Sequence, residues 1–145
     1  MCIRDRLEII VLDEASTDDS LAVAEATDEE WGRAIRIIPS RQGSGSVFAQ
    51  WRRAVAEARG DWIWVAEADD IAETTFLSRL SAALDATPRA VMAFSDSRAI
   101  DSDGAPLYDS YKPYYATSAG AALERDGIHD GPTFVATCLR EKNLI

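Results

Sequence analysis

A chain of 145 residues, 47% hydrophobic and 28% charged, has the make-up of one globular domain with an apolar core. Its formal net charge of −10 disfavours nucleic acid, which needs a basic stripe, and adhesion to anionic lipid. No apolar stretch approaches the ~20 residues that cross a bilayer, the first residues lack a signal-peptide core, and Cys2 and Cys138 have no metal or disulfide spacing; a cytoplasmic location is the expectation.

Met1-Cys2-Ile3-Arg4-Asp5-Arg6 runs into the first apolar segment without turn or cap chemistry, and Asn143-Leu144-Ile145 follows a helix start. Residues 1–6 are therefore read as a non-native leader and the chain as a fragment. Leu7 to Leu12 has strand length and β-branched content. Asp13 to Asp19 breaks it, and Ser16 or Thr17 is the expected cap of a helix carrying Leu21, Ala22, Ala24 and Ala26. Arg33 to Ile38 reads as a second strand stopped by Pro39. Gly43-Ser44-Gly45-Ser46 is a loop, and Val47, Phe48, Trp51, Ala54, Val55 and Ala58 have helical spacing ended by Gly60.

Trp62-Ile63-Trp64-Val65-Ala66 is apolar on both alternating faces and reads as a buried central strand. Thr74 or Thr75 then caps a helix through Leu84, closed by Pro88, and Ala90 to Phe94 reads as another strand. Asp103-Gly104 is a turn signal, tyrosines cluster at 108–115, and Phe134 to Leu139 reads as a last strand. Strands alternating with helices give an α/β fold, a mostly parallel sheet flanked by helices.

The strand at 62–66 would deliver the carboxylates of Glu67, Asp69 and Asp70 to the edge where an open α/β sheet presents its ligand crevice. Acids crowded there repel one another unless a cation sits among them, and a hard divalent ion carrying phosphate oxygens fits. In an extended segment Glu67 and Asp69 point the same way, so the pair would bind one ion. Asp13 and Glu14 also follow a strand, and parallel strands end on one edge, so both clusters would line one rim. A helix cap plus solvated loop acids is the alternative for either cluster alone; their pairing favours a site.

These residues resemble a family. Leu12-Asp13-Glu14-Ala15-Ser16-Thr17-Asp18-Asp19-Ser20 is similar to the strand-end DD-x-S-x-D-x-S segment of glycosyltransferase family 2, with its Rossmann-like GT-A nucleotide-diphospho-sugar transferase fold. The Gly43–Trp51 stretch resembles the following helix, and Gly60 to Asp70 resembles the strand ending in the DxD motif. The likeness covers about residues 7–100, the donor-binding half of a partial domain at 7–145, with an acceptor region starting near 101.

The resemblance implies transfer of a sugar from a nucleotide-diphosphate donor to an acceptor hydroxyl, with inversion, the acceptor being a glycan, a lipid-linked or another hydroxyl compound. It implies that Asp13 and Glu14, with Ser16 beside them, face base and ribose. Asp69 would be the main ligand of Mn²⁺ or Mg²⁺, Glu67 would touch ribose or metal, and Asp70 would lie beside the donor sugar. It also implies work in cell-envelope polysaccharide synthesis, at the inner face of the membrane if peripheral to it. Glu14 and Glu67 stand where the family usually has Asp, and Gly43 where it often has Asn. The general base is expected beyond Ile145, so the fragment alone is expected to turn over little. Asp126, His129 and Asp130 lack the context of a base. Arg41 is either a phosphate contact or a solvated loop residue. Two rival readings are a receiver-like Mg²⁺-binding regulatory module, against which the lysines Lys112 and Lys142 fit poorly, and a nucleotide-binding fragment without turnover.

Overall fold

A computed structural model describes residues 7–32, 34–119 and 123–139. The chain divides into two compact units, Met1–Ala72 and Glu73–Ile145. The leader read at residues 1–6 lies outside the described residues.

In the first unit, β1 (Ile9–Asp13) and β2 (Ile35–Pro39) pair in parallel, in register from Ile9↔Ile35 to Asp13↔Pro39. Parallel neighbours need a crossover, and α1 (Ser20–Glu30) supplies it. The residue before α1 is Asp19, not Ser16 or Thr17. Asp18 takes the Ser20 N–H at 3.0 Å, while the Ser16 N–H turns back to Asp13, so the expected caps serve the strand end instead. Pro39 does not stop β2 but ends it, a place where its missing N–H is tolerated. α2 (Val47–Glu57) forms where the apolar periodicity puts it and ends at Ala58, short of Gly60.

Electrostatic ties fasten this unit. Arg36 on β2 donates to Glu57 Oε2 at 2.8 Å, to Glu8 Oε1 at 3.2 Å and to the Glu57 carbonyl. Glu8 also accepts the Arg59 N–H at 2.8 Å. One half-buried guanidinium thus joins the approach to β1, the middle of β2 and the last turn of α2. Asp28 Oδ1 accepts the Ile35 N–H at 2.7 Å and holds the end of α1 to the start of β2.

The stretch expected as a central strand is not one. Residues 62–66 have no ladder partner, and Trp62, Ile63, Trp64 and Val65 are 52%, 46%, 47% and 40% exposed. Apolar composition states a preference for burial; a strand also needs a neighbour for its amides and a cover for each face. Neither is present among the described residues, so β1 pairs with β2 alone. The expected strand at Ala90–Phe94 is irregular for the same reason, with Val91 87% exposed. One mostly parallel sheet is therefore replaced by a two-stranded parallel sheet and a separate two-stranded antiparallel one. The α/β character stands, as a small parallel sheet with helices.

The second unit starts with α3 (Phe76–Asp85), preceded by Thr75 as expected, although Thr75 makes no side-chain cap bond. β3 (Ala99–Ile100) and β4 (Pro106–Tyr108) pair antiparallel around the expected Asp103-Gly104 turn. Asp101 Oδ1 takes the N–H groups of Asp103 and Ala105, each at 2.9 Å, and Gly104 adopts φ +81°, which glycine permits. α4 (Lys112–Ala119) follows. The expected strand at Phe134–Leu139 is helical: α5 (Gly131–Phe134) runs into a π-helical turn at Val135–Leu139. Local chemistry overrides β-branched content here. Asp130 caps the Thr133 N–H at 3.1 Å and its hydroxyl at 2.8 Å, and Pro132 sits at the first turn, where proline favours a helix. Among the described residues, Leu123, Phe134 and Cys138 are the buried apolar side chains, with Phe94 and Tyr111 packed against them. The core is thus much smaller than composition suggested.

Arg36→Met is expected to destabilise the protein by about 1–2 kcal/mol, because it leaves the Glu57 carboxylate and carbonyl without their donor and removes one of the donors to Glu8. Arg59→Met, at an 80% exposed side chain, is expected to cost no more than about 0.5 kcal/mol. Urea unfolding of both variants checks this; equal losses would contradict the role given to Arg36.

Candidate functional site

The parallel ladder ends at Asp13, the one buried charged residue among those described, 8% exposed. Burying a carboxylate is costly unless it is hydrogen-bonded. Both of its oxygens accept the Ser16 N–H, each at 3.3 Å, and its carbonyl accepts the Ser40 N–H at 2.9 Å. The side-chain contacts are long, which leaves acceptor capacity for another donor. Beside Asp13 lies a cavity of about 340 Å³. Leu12, Asp13, Glu14 and Ser16 line it from the strand end, Ser20 and Leu21 from the first turn of α1, and Ala68 from the second acidic segment.

Ala68 therefore brings the middle of Glu67-Ala68-Asp69-Asp70 to the cavity of Asp13, Glu14 and Ser16, while the three neighbouring acids are not among the lining residues. The segment is not extended. The Asp70 N–H donates to the Glu67 carbonyl at 3.3 Å, closing a turn over Ala68 and Asp69. The alternation argument for Glu67 and Asp69 therefore fails, because period-two geometry holds only in a strand. Glu67 is half-buried, and its Oε1 accepts the Trp51 indole N–H at 2.9 Å. Asp69 and Asp70 are exposed.

No group of three or more His, Cys, Asp or Glu side chains among the described residues is arranged to hold a metal ion. The donor chemistry nevertheless fits a hard cation. Mg²⁺ and Mn²⁺ take oxygen ligands, and Mg²⁺ is usually bound by one or two carboxylates together with substrate phosphates. Asp69 and Asp70 supply such oxygens; Glu67 does so with one oxygen already holding Trp51.

Glu14 is held by the loop before α2. Its Oε1 accepts both the N–H and the hydroxyl of Ser44. The Ser44 hydroxyl first, then the Gln50 side chain and the Ser44 and Gly45 amides, hold the Glu14 carboxyl below its ordinary pKa. Sequence reading missed Ser44, Gln50 and Trp51. Trp51 stood there as part of an apolar helix face, yet an indole N–H placed in a partly buried setting asks for an acceptor, and that question would have led to Glu67. Arg41 is exposed in its loop. Asp130 is a helix cap, and the His129 ring packs on Phe134 with centroids 5.8 Å apart.

Among the described residues, three carboxyls have lowered pKa values: Glu14 as above, Asp18 chiefly by the Ser20 hydroxyl, and Asp130 chiefly by the Thr133 hydroxyl. A lowered folded pKa gives stability that is present above the unfolded value and is lost as pH falls through the folded one. The melting temperature is expected to decline as pH drops from about 5 to about 2, with Glu14→Gln removing part of the decline. A melting temperature that stays level across that range would contradict these bonds.

No helix among the described residues is long and apolar enough to cross a membrane. No curated protein and no solved structure matches the chain. The model of the family described as "Glycosyl transferase family 2" matches residues 3–143, a span that contains both acidic segments and the cavity beside Asp13. With a match of that extent, the chain belongs to glycosyl transferase family 2.

Proposed function

We propose that the chain is the donor-binding part of a GT-A enzyme that transfers a sugar, with inversion, from a nucleotide-diphosphate donor to an acceptor hydroxyl in a divalent-metal-dependent reaction. The observation that carries this reading is Asp13. It is a buried carboxylate at the end of β1, with spare acceptor capacity, facing a cavity that Ala68 of the second acidic segment also lines. Family membership supports reading that cavity as the place for a donor.

In this reading Asp13 accepts a hydrogen bond from the nucleoside, and Ser16 borders it. The first turn of α1 borders the cavity through Ser20 and Leu21 and sets the positive end of the helix toward the donor, which favours phosphate. Asp69, with Glu67, would hold Mn²⁺ or Mg²⁺, which would supply positive charge against the departing diphosphate, and Asp70 would lie beside the donor sugar. Glu67 positions this turn through Trp51 and keeps its second oxygen for ribose or metal. The acceptor is a glycan or lipid-linked hydroxyl of the cell envelope, met in the cytoplasm or at the inner face of the membrane.

Asp69→Asn is expected to weaken metal-dependent binding of a nucleoside diphosphate at least about ten-fold while leaving the unfolding midpoint nearly unchanged. Glu67→Gln is expected to weaken it less. Calorimetry with UDP and GDP in the presence and absence of Mn²⁺ measures both, and unchanged binding by Asp69→Asn would sink the metal role.

A further inference from the structure

The β2–α2 loop closes on Glu14. The Ser44 hydroxyl lies within donor reach of Glu14 Oε1 and of the Ser46 carbonyl, the latter at 3.1 Å, and accepts the Ser46 N–H at 3.2 Å, so one serine ties the carboxylate to its own loop. Gly45, at φ +65°, makes the left-handed bend that lets Ser44 and Ser46 meet. Gly43 lies against the same side chain: a Cβ there would touch Glu14 Cγ and the Glu14 carbonyl at 3.6 Å, ordinary contact distance. From the first turns of α2, the Gln50 side chain lies near enough to help hold the Glu14 charge, and its Oε1 is buried with no partner.

On its own strand, Glu14 stands between two fixed points. Asp13 is folded onto the Ser16 N–H, and Ala15 is held at φ +58°, a left-handed conformation that costs a residue with a Cβ about 1–2 kcal/mol. Such strain persists only where the surroundings over-determine the backbone. Glu14 also lines the Asp13 cavity.

We propose that Glu14, Ser44 and Gln50 form a positioning latch that ties the Gly43–Ser46 loop to the end of β1 and fixes the cavity wall for a nucleoside diphosphate. This rests on the donor-binding reading above and changes the part given to one residue in it. Glu14 Oε1 is held by Ser44, which makes Glu14 a positioning residue. Asp13 is left to meet the nucleoside.

The full chain and its Ser44→Ala, Ser44→Thr and Glu14→Gln variants are titrated with UDP and with GDP, each with Mn²⁺, by calorimetry. Ser44→Ala is expected to weaken binding about five-fold or more, with a melting temperature at neutral pH lowered only slightly, by loss of the bond to the Glu14 charge. Ser44→Thr, which keeps the hydroxyl, is expected to restore it. The Glu14 carboxyl, followed by ¹³C NMR, is expected to titrate at higher pH in Ser44→Ala and as in the parent in Ser44→Thr. Ser44→Ala combined with Glu14→Gln is expected to lose no more than the worse single variant, since the two sever one connection. If the parent binds a nucleotide and Ser44→Ala binds it equally well, the latch is overturned and the donor reading survives. If the parent binds neither nucleotide, the donor reading itself fails and the latch falls with it.

Discussion

The β1–β2 ladder is the constraint on which the first unit rests. It has only two strands, so its own hydrogen bonds give marginal stability, and side chains must hold it at both ends. Arg36 does so at the start, drawing Glu8 and Glu57 onto one guanidinium. At the other end the strand stops on a carboxylate that is nearly out of water. That second end is where stability and function meet. A residue chosen for stability alone would be apolar, because a buried acid must be compensated by hydrogen bonds. Asp13 is compensated only loosely, by one amide shared between two oxygens at 3.3 Å. An acid kept where it is costly and left partly unsatisfied is a mark of binding.

The second acidic segment obeys a different logic. Its carboxylates are exposed or half-exposed, so solvent already screens their repulsion and no cation is required to hold the fold. The electrostatic case for a metal based on crowding in a buried crevice is therefore weaker than the sequence implied. What remains is chemistry and placement: two oxygen-bearing side chains on a turn, anchored through Glu67 to Trp51, with Ala68 touching the Asp13 cavity. An ion held there would draw much of its coordination from phosphate.

The sequence was most readable where local chemistry and long-range packing agree. β1, α1, β2 and α2 all lie within a residue or a few of their expected bounds, since apolar period and loop residues point the same way in each. It misled where only composition spoke. Trp62 to Ala66 and Ala90 to Phe94 are apolar enough for strands, yet a strand is completed by a neighbour that its own residues do not specify. Phe134 to Leu139 failed in the opposite way: Asp130, Pro132 and Thr133 spelled a helix start just upstream, a local signal stronger than the β-branched residues after it. Of the site, the acids were legible as types and in spacing. Their partners Ser44, Gln50 and Trp51 were not, because those contacts cross 30 residues from Glu14 to Ser44 and 16 from Trp51 to Glu67.

Glu14 shows why those partners matter to the chemistry. Next to a buried Asp13, a second unpaired carboxylate would raise the cost of keeping either one charged. Donors from Ser44, Gln50 and Gly45 stabilise the Glu14 charge and turn it toward the loop. The extra methylene that distinguishes glutamate from aspartate at this position supplies the reach to Ser44. The substitution that set this chain apart from the family's pattern is thus accounted for by what the longer side chain touches. On the proposed reading, two adjacent acids that both line the cavity take two tasks: Asp13 meets the nucleoside, and Glu14 holds the loop beside it.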